Sequence, residues 1–186
     1  MIVVQNGDRV DISGNVLTLT GIDHGITIIN GTYARITDNL ISNAVFGIWA
    51  CDFKGRAAGN VTTGTFVGII LCNVPPSVLI SGQVVGSDQP ATGWHVQNNS
   101  ASSSFWGYAV TDGSHNNVLA NNVASNNDID IEVPGDSTFF GFFTPIAADN
   151  LIAVGAESGI VVHDCGASTN VAGPATLLDT NEVPCF

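Results

Sequence analysis

Residues 47–52 read Gly-Ile-Trp-Ala-Cys-Asp and residues 68–73 read Gly-Ile-Ile-Leu-Cys-Asn, so one phrase recurs after 21 positions. A fixed period of this length limits a chain to stacked units, and it is the strongest constraint in the sequence. A second phrase runs with it: an Asn with a small or apolar residue three before and another two after. Asn15, Asn39, Asn60, Asn99, Asn122 and Asn150 fit, and Gln83 substitutes once between Ile80 and Val85. About eight residues beyond most of these anchors comes Gly with alternating apolar residues, as in Gly25-Ile26-Thr27-Ile28, Gly107-Tyr108-Ala109-Val110 and Gly159-Ile160-Val161-Val162. The run ending at Val133 takes the same place less closely.

Alternation of this kind marks a strand with one buried face, and the intervening Gly, Asn, Asp and Ser form turns. Helical spacing is nowhere sustained. Short strands and turns repeating every 21 to 24 residues describe a coil that returns one rung higher. Its inward residues stack in a column and its strands pair in parallel, with Asn side chains hydrogen-bonded along a turn. The expectation is an all-β parallel β-helix of about six to seven coils, a rod roughly 30 Å long. Residues 1–133 form coils; residues 134–186 hold an aromatic loop, the last coil and a C-terminal cap of the same domain. The anchor spacing shrinks to 16 residues between Gln83 and Asn99, and widens to 28 between Asn122 and Asn150, where "PGDSTFFGFFTP" intervenes as an aromatic flap.

The segments "HNNVLANNVASNNDIDIEV" and "HDCGASTNVAGPATLLDTNEVPCF" resemble bacterial right-handed parallel β-helix repeat proteins of the pectin-lyase-like superfamily, including its NosD-like group. The resemblance implies a right-handed coil. It leaves activity open, because members include polysaccharide lyases, hydrolases, epimerases and proteins without chemistry. Calcium binding by acids after the Gly-apolar strand is also implied; Asp52, Asn73, Asp112 and Asp164 hold that place, where turn formation is the favoured reading. "IDHGITI" around His24 resembles the Gly-His-Gly strand of polygalacturonase-type hydrolases, but that family's carboxylate motifs and Arg-x-Lys are missing. The basic cleft with an Arg base that a pectate-lyase mechanism needs is not visible either.

Strand parity assigns the outer face. With Ile48 and Ala50 inward, Trp49 and Cys51 point outward, as do Ile70 and Cys72 above and Thr27 and Ile29 below. These form two apolar columns, and an exposed apolar face marks a contact surface. Either a ligand groove uses it, with Trp49, Ile70, Trp106 and Phe140 as ligand-binding residues, or the Phe-rich loop, a terminal segment or a second subunit covers it. Further up, the columns turn polar through His95, Gln97, Asp130 or Glu132, and His163. His95, Asp130, Glu132 and His163 are the candidate acid–base catalysts, with a two-residue register ambiguity between the carboxylates. Outward polar residues with no chemistry are the competing reading.

Sixteen acidic residues against four basic give a net charge of −12. Such a surface repels nucleic acid, anionic membranes and acidic polysaccharides unless a local basic site reverses the field. Lys54 and Arg56 are the only close pair of bases and could hold a carboxylate, although exposed bases beside a turn are ordinarily just solvated. No segment has the uninterrupted apolar length of a membrane helix, and no nucleophile-elbow, zincin, phosphate-loop or paired Cys-x-x-Cys motif occurs. The start, "MIVVQNGDRV", lacks a secretion signal's pattern, consistent with its removal. Gly, Asn, Ser and Thr richness with one Lys suggests a secreted or cell-surface protein. Asn30, Asn60 and Asn98 match the glycosylation acceptor, a match that arises easily in an Asn-rich chain.

Four Cys permit two disulfides. Cys165 and Cys185 are placed to close a cap; Cys51 and Cys72 lie close enough to bridge, but their shared direction favours paired free thiols. Function is expected to be binding or processing of a glycan, neutral rather than polyuronate, on an outward strand face. The alternatives are a non-catalytic assembly module that oligomerises through the apolar face, and an enzyme for a small apolar metabolite. No cofactor is expected, calcium being the one alternative.

Overall fold

The computed structural model describes residues 1–80, 83–87, 90–134, 147–154, 159–178 and 185, without the side chains of residues 52–53, 74–80 and 83–87. No helix occurs among the described residues, and none is therefore long and apolar enough to cross a membrane. Strands pair in parallel and the sheet curls through 323°, as in a parallel β-helix or a similar solenoid.

Three ladders form the wall. The first stacks β1 (Ile2–Gln5), the first half of β4 (Ile26–Thr37), the first half of β6 (Phe46–Ala58), β8 (Val67–Leu71), β13 (Trp106–Val110), β16 (Ile129–Val133), β18 (Val161–Asp164) and β20 (Thr176–Leu177). The second stacks β2 (Asp11–Ser13), the second halves of β4 and β6, then β11 (His95–Gln97), β14 (Val118–Ala120), β17 (Leu151–Ala153) and β19 (Asn170–Ala172). In the third stand β3 (Val16–Thr18), β5 (Leu40–Ser42), β7 (Val61–Thr63), β12 (Ser100–Ser102) and β15 (Val123–Ser125). Inside, Ile12, Ile36, Ala57, Val96, Leu119 and Ile152 form one buried column, and Ile28, Ala50, Leu71, Val110 and Val133 another. Truncating one of the larger aliphatic residues in these columns to Ala costs about 2–5 kcal/mol.

The Gly of the repeated phrase has a steric cause. A Cβ on Gly25, Gly47 or Gly68 would lie 2.3–2.4 Å from the carbonyl oxygen of the corresponding Gly one rung up. No side chain fits there, so the phrase must restart with Gly on each of these rungs.

Corners follow a second rule: a left-handed residue, then an inward polar one. Gly14, Asp38, Gly59, Asn98 and Asn121 have positive φ and precede Asn15, Asn39, Asn60, Asn99 and Asn122. In that stack each lower Asn donates its backbone N–H and side-chain Nδ2–H to the next Oδ1, at 2.9–3.1 Å. Removing a buried partner strands the groups that bonded to it, at about 1–3 kcal/mol each. This also explains why Asn60 is ladder material, buried and unavailable as a glycosylation acceptor.

Two of the seven expected anchors belong elsewhere. Asn150 sits at a different corner, where its Oδ1 accepts from Asn117, so the 28-residue interval compared unlike positions. Gln83 opens β10 (Gln83–Ser87), which pairs antiparallel with β9 (Val74–Ile80) in an inserted hairpin. The corresponding ladder bond joins Asn60 directly to Asn99, 39 residues on.

Candidate functional site

The outward column of the first ladder has the register Thr27, Trp49, Ile70, Ala109, Glu132, His163. This resolves the carboxylate ambiguity for Glu132. Asp130 holds the position that is Gly on lower rungs, and its carboxylate accepts from Asn127 Nδ2 and the Val161 N–H, both at 3.0 Å. It is a corner acceptor. His95 and Gln97 lie on the second ladder, between Arg56 and Val118 and between Ala58 and Ala120, so they do not join Glu132.

The apolar part of the column is not open. Ile70 is 0 % exposed and Trp106 4 %, and Cys51, Cys72 and Ala109 are buried with them in a second cluster against Trp49. The expectation of an exposed apolar groove or subunit contact is corrected at this point, because the face is buried within one chain. His24 contributes to the cover, stacking on Phe46 with ring centroids 5.0 Å apart and tilting against Trp49 at 4.8 Å. Burial lowers its pKa against the opposing charge of Asp23. It thus packs on aromatic rings, unlike a hydrolase histidine set among carboxylates. Phe140 lies outside the described residues.

Cys51 is joined to Cys72, with Cα atoms 4.7 Å apart, and Cys165 to Cys185; the expectation of free thiols at Cys51 and Cys72 is overturned. Their Cβ atoms project from neighbouring strands at rung spacing, which is within bridging reach after all. Two disulfides point to an oxidising environment.

At the top of the column Glu132 and His163 are both buried, and His163 Nδ1 lies 2.9 Å from Glu132 Oε1 and Oε2. Burial pushes Glu132 up, opposed by the His163 hydrogen bond. His163 Nε2 stands 3.4 Å from Cys165 Sγ. His163, Cys165 and Cys185 are the only described group close enough to share a metal ion, but both sulfurs are committed to the disulfide. Of the residues considered for calcium, Asp164 accepts the Gly166 N–H and Asp112, at positive φ, accepts the Thr111 hydroxyl, as turn residues do, whereas Asn73 Oδ1 is buried without a hydrogen-bond partner among the described residues. The Asp52 side chain lies outside the described residues.

A different arrangement was only half visible in the sequence. In the outward column of the second ladder Arg35 pairs in register with Arg56, and Arg56 with His95. Beside them, at the preceding corner, run Tyr33 and Lys54, the latter with its aliphatic chain against Gly93. A cleft of about 310 Å³ lies between these residues, floored by Ala34 and Gly55. Gly55 is flat for a reason: a Cβ there would sit 2.5–2.7 Å from ring atoms of buried Trp94. Three of the chain's four Lys and Arg thus meet in one place. Among the described residues no carboxylate lies within 4.0 Å of any of them.

The corner carries strain. Its left-handed position is Gly93, Asn116, Asp149 and Ser168 on upper rungs, but Arg9 (φ 54°), Tyr33 (φ 58°) and Lys54 (φ 52°) on the three lower ones, the last two at the cleft. An ordinary side chain costs roughly 1–2 kcal/mol in that conformation, and such strain collects at functional sites. Lys54 and Arg56 stand out in the sequence as a close pair, whereas the approach of Arg35 and Tyr33 depends on the register between coils. The signal was present as recurrence: Arg35 and Arg56 are 21 residues apart, as are Tyr33 and Lys54. No family model, curated protein or solved structure matches the chain.

Proposed function

We propose that the protein is a secreted or cell-surface glycan-binding module whose cleft takes a carboxylate-bearing sugar. The scaffold is a right-handed parallel β-helix of six to seven coils, of the pectin-lyase-like type. One observation carries the reading: stacked Arg35 and Arg56 with Lys54, without a carboxylate partner among the described residues, in a chain of net charge −12. Like charges one rung apart repel, and a bound carboxylate offsets that repulsion while accepting paired guanidinium hydrogen bonds. Tyr33, 57 % exposed beside them, supplies an apolar platform for a sugar ring. The acidic remainder of the surface disfavours nucleic acid and selects for a short or singly engaged anion. This turns the expectation from a neutral glycan toward an acidic one. Titration with an oligouronate and its neutral counterpart tests it by calorimetry. The acidic sugar should bind, with loss of binding in Arg56→Ala; equal affinity for both sugars overturns the reading.

An assembly module remains the second reading, moved to a new face. Val16, Leu40, Val61 and Val123 are exposed in one column of the third ladder, interrupted by Ser100. Sedimentation distinguishes it: a dimer that Val61→Lys converts to monomer supports assembly.

A further inference from the structure

The outward column of the first ladder is apolar through Trp49, Ile70 and Ala109, then changes to a buried carboxylate–imidazole pair on two rungs. Burying such a pair is costly unless geometry and hydrogen bonds repay it, and an end cap closed by a disulfide does not need one. The pair faces the Cys165–Cys185 bridge. Glu132 holds His163 through Nδ1, leaving Nε2 directed at Cys165 Sγ, 3.4 Å away. The other disulfide lacks this arrangement: at Cys72 Sγ the neighbour is the Trp49 indole N–H, a donor with no acid–base function near neutral pH.

We propose that the Cys165–Cys185 disulfide is exchange-active, with His163 as its acid–base group and Glu132 as the residue that positions it. Cys185 is exposed and Cys165 half-buried, so an external dithiol meets Cys185 first. One thiolate of the dithiol attacks Cys185 Sγ; the Cys165–Cys185 bond breaks, and Cys165 leaves as a thiolate beside the protonated His163 imidazole. The second thiolate of the dithiol then attacks the mixed disulfide, forming the reagent's internal disulfide and releasing Cys185. Two electrons pass from dithiol to protein. Of the dithiol's two protons, one ends on His163 and the other on the Cys185 thiol. The ionisable groups around the imidazole are Glu132 on β16 and Asp164 beside it on β18, and burial raises both carboxyls. A thiolate paired with imidazolium is the reactive form of cysteine.

The test uses the whole chain, reduced with dithiothreitol and alkylated with iodoacetamide across a pH series, with each cysteine peptide followed by mass spectrometry. Cys165 should react about tenfold faster at pH 7 than Cys51 and Cys72, with its pH profile displaced below the ordinary thiol value of about 8.5. His163→Gln should return the profile to the ordinary range. Glu132→Gln, which keeps shape and removes charge, should move it part of the way. The circular dichroism of β structure is recorded for each variant, and Glu132→Gln carries the test alone where His163→Gln does not fold. A Cys165 profile coincident with that of Cys51 and Cys72 overturns the proposal, as does one unchanged in a folded variant.

Discussion

Arg35, Lys54 and Arg56 stand exposed on the lower rungs with no carboxylate within 4.0 Å among the described residues, whereas Glu132 and His163, on the upper rungs, are buried and bonded to each other. Both places interrupt the same repeat, yet they differ in what the fold has left incomplete. At the upper site Glu132 and His163 satisfy each other inside the protein. At the cleft the cations have no counter-charge among the described residues, and Tyr33 and Lys54 hold left-handed backbone beside them. Burial and pairing, rather than charge alone, separate the two places.

The largest test of this contrast is Glu132→Ala. It leaves His163 buried without its partner and should cost about 3–5 kcal/mol in urea unfolding. Arg56→Ala, in exposed surroundings, should change stability by no more than about 0.5 kcal/mol. Binding should reverse the order: Arg56→Ala should lose about 1.5–3 kcal/mol of oligouronate affinity, the worth of hydrogen bonds to charged groups, while folded Glu132→Gln should bind as before. Equal effects of both substitutions on both properties would erase the distinction.

A smaller effect sharpens it. Lys54→Asn places a residue suited to the left-handed corner, and should raise stability by about 1 kcal/mol while weakening ligand binding. Titration gives the finest test. Burial raises Glu132 above its ordinary 4.5, and raises Asp164 above 3.8 against the Gly166 N–H. A carboxylate raised by folding holds its proton more tightly in the folded chain. Its stability contribution is complete below those ordinary values and is lost as pH rises through the raised ones. Urea midpoints should therefore fall over that window, less steeply in Glu132→Gln, and Arg56→Ala should leave the slope unchanged.

The repeat made much of this legible. Parity correctly placed Thr27, Trp49 and Ile70 in one column, because β alternation is local and the period supplies the neighbour. It did not reveal their cover: outward on a strand differs from exposed to water, and burial depends on what folds over the strand. The Asn rule misassigned Asn150 because two corners use the same chemistry, and Gln83 because an insertion in a coil resembles a short coil. His95 was assigned to the Glu132 face because the strand count across the hairpin was wrong by one ladder. The cleft was missed as a unit because its 21-residue recurrences, Arg35 with Arg56 and Tyr33 with Lys54, were not followed from coil to coil.

The asparagine stack also has a direction. From Asn15 to Asn122 each side-chain amide offers its oxygen to the rung below and its nitrogen to the rung above. The amide dipoles therefore add along the rod axis as peptide dipoles do along a helix, with the negative end at Asn15 and the positive end at Asn122. Its two ends are chemically unlike: the lower presents an acceptor and the upper a donor. A rung added below must bring a donor, and one added above an acceptor, so the stack constrains the order in which coils can be joined.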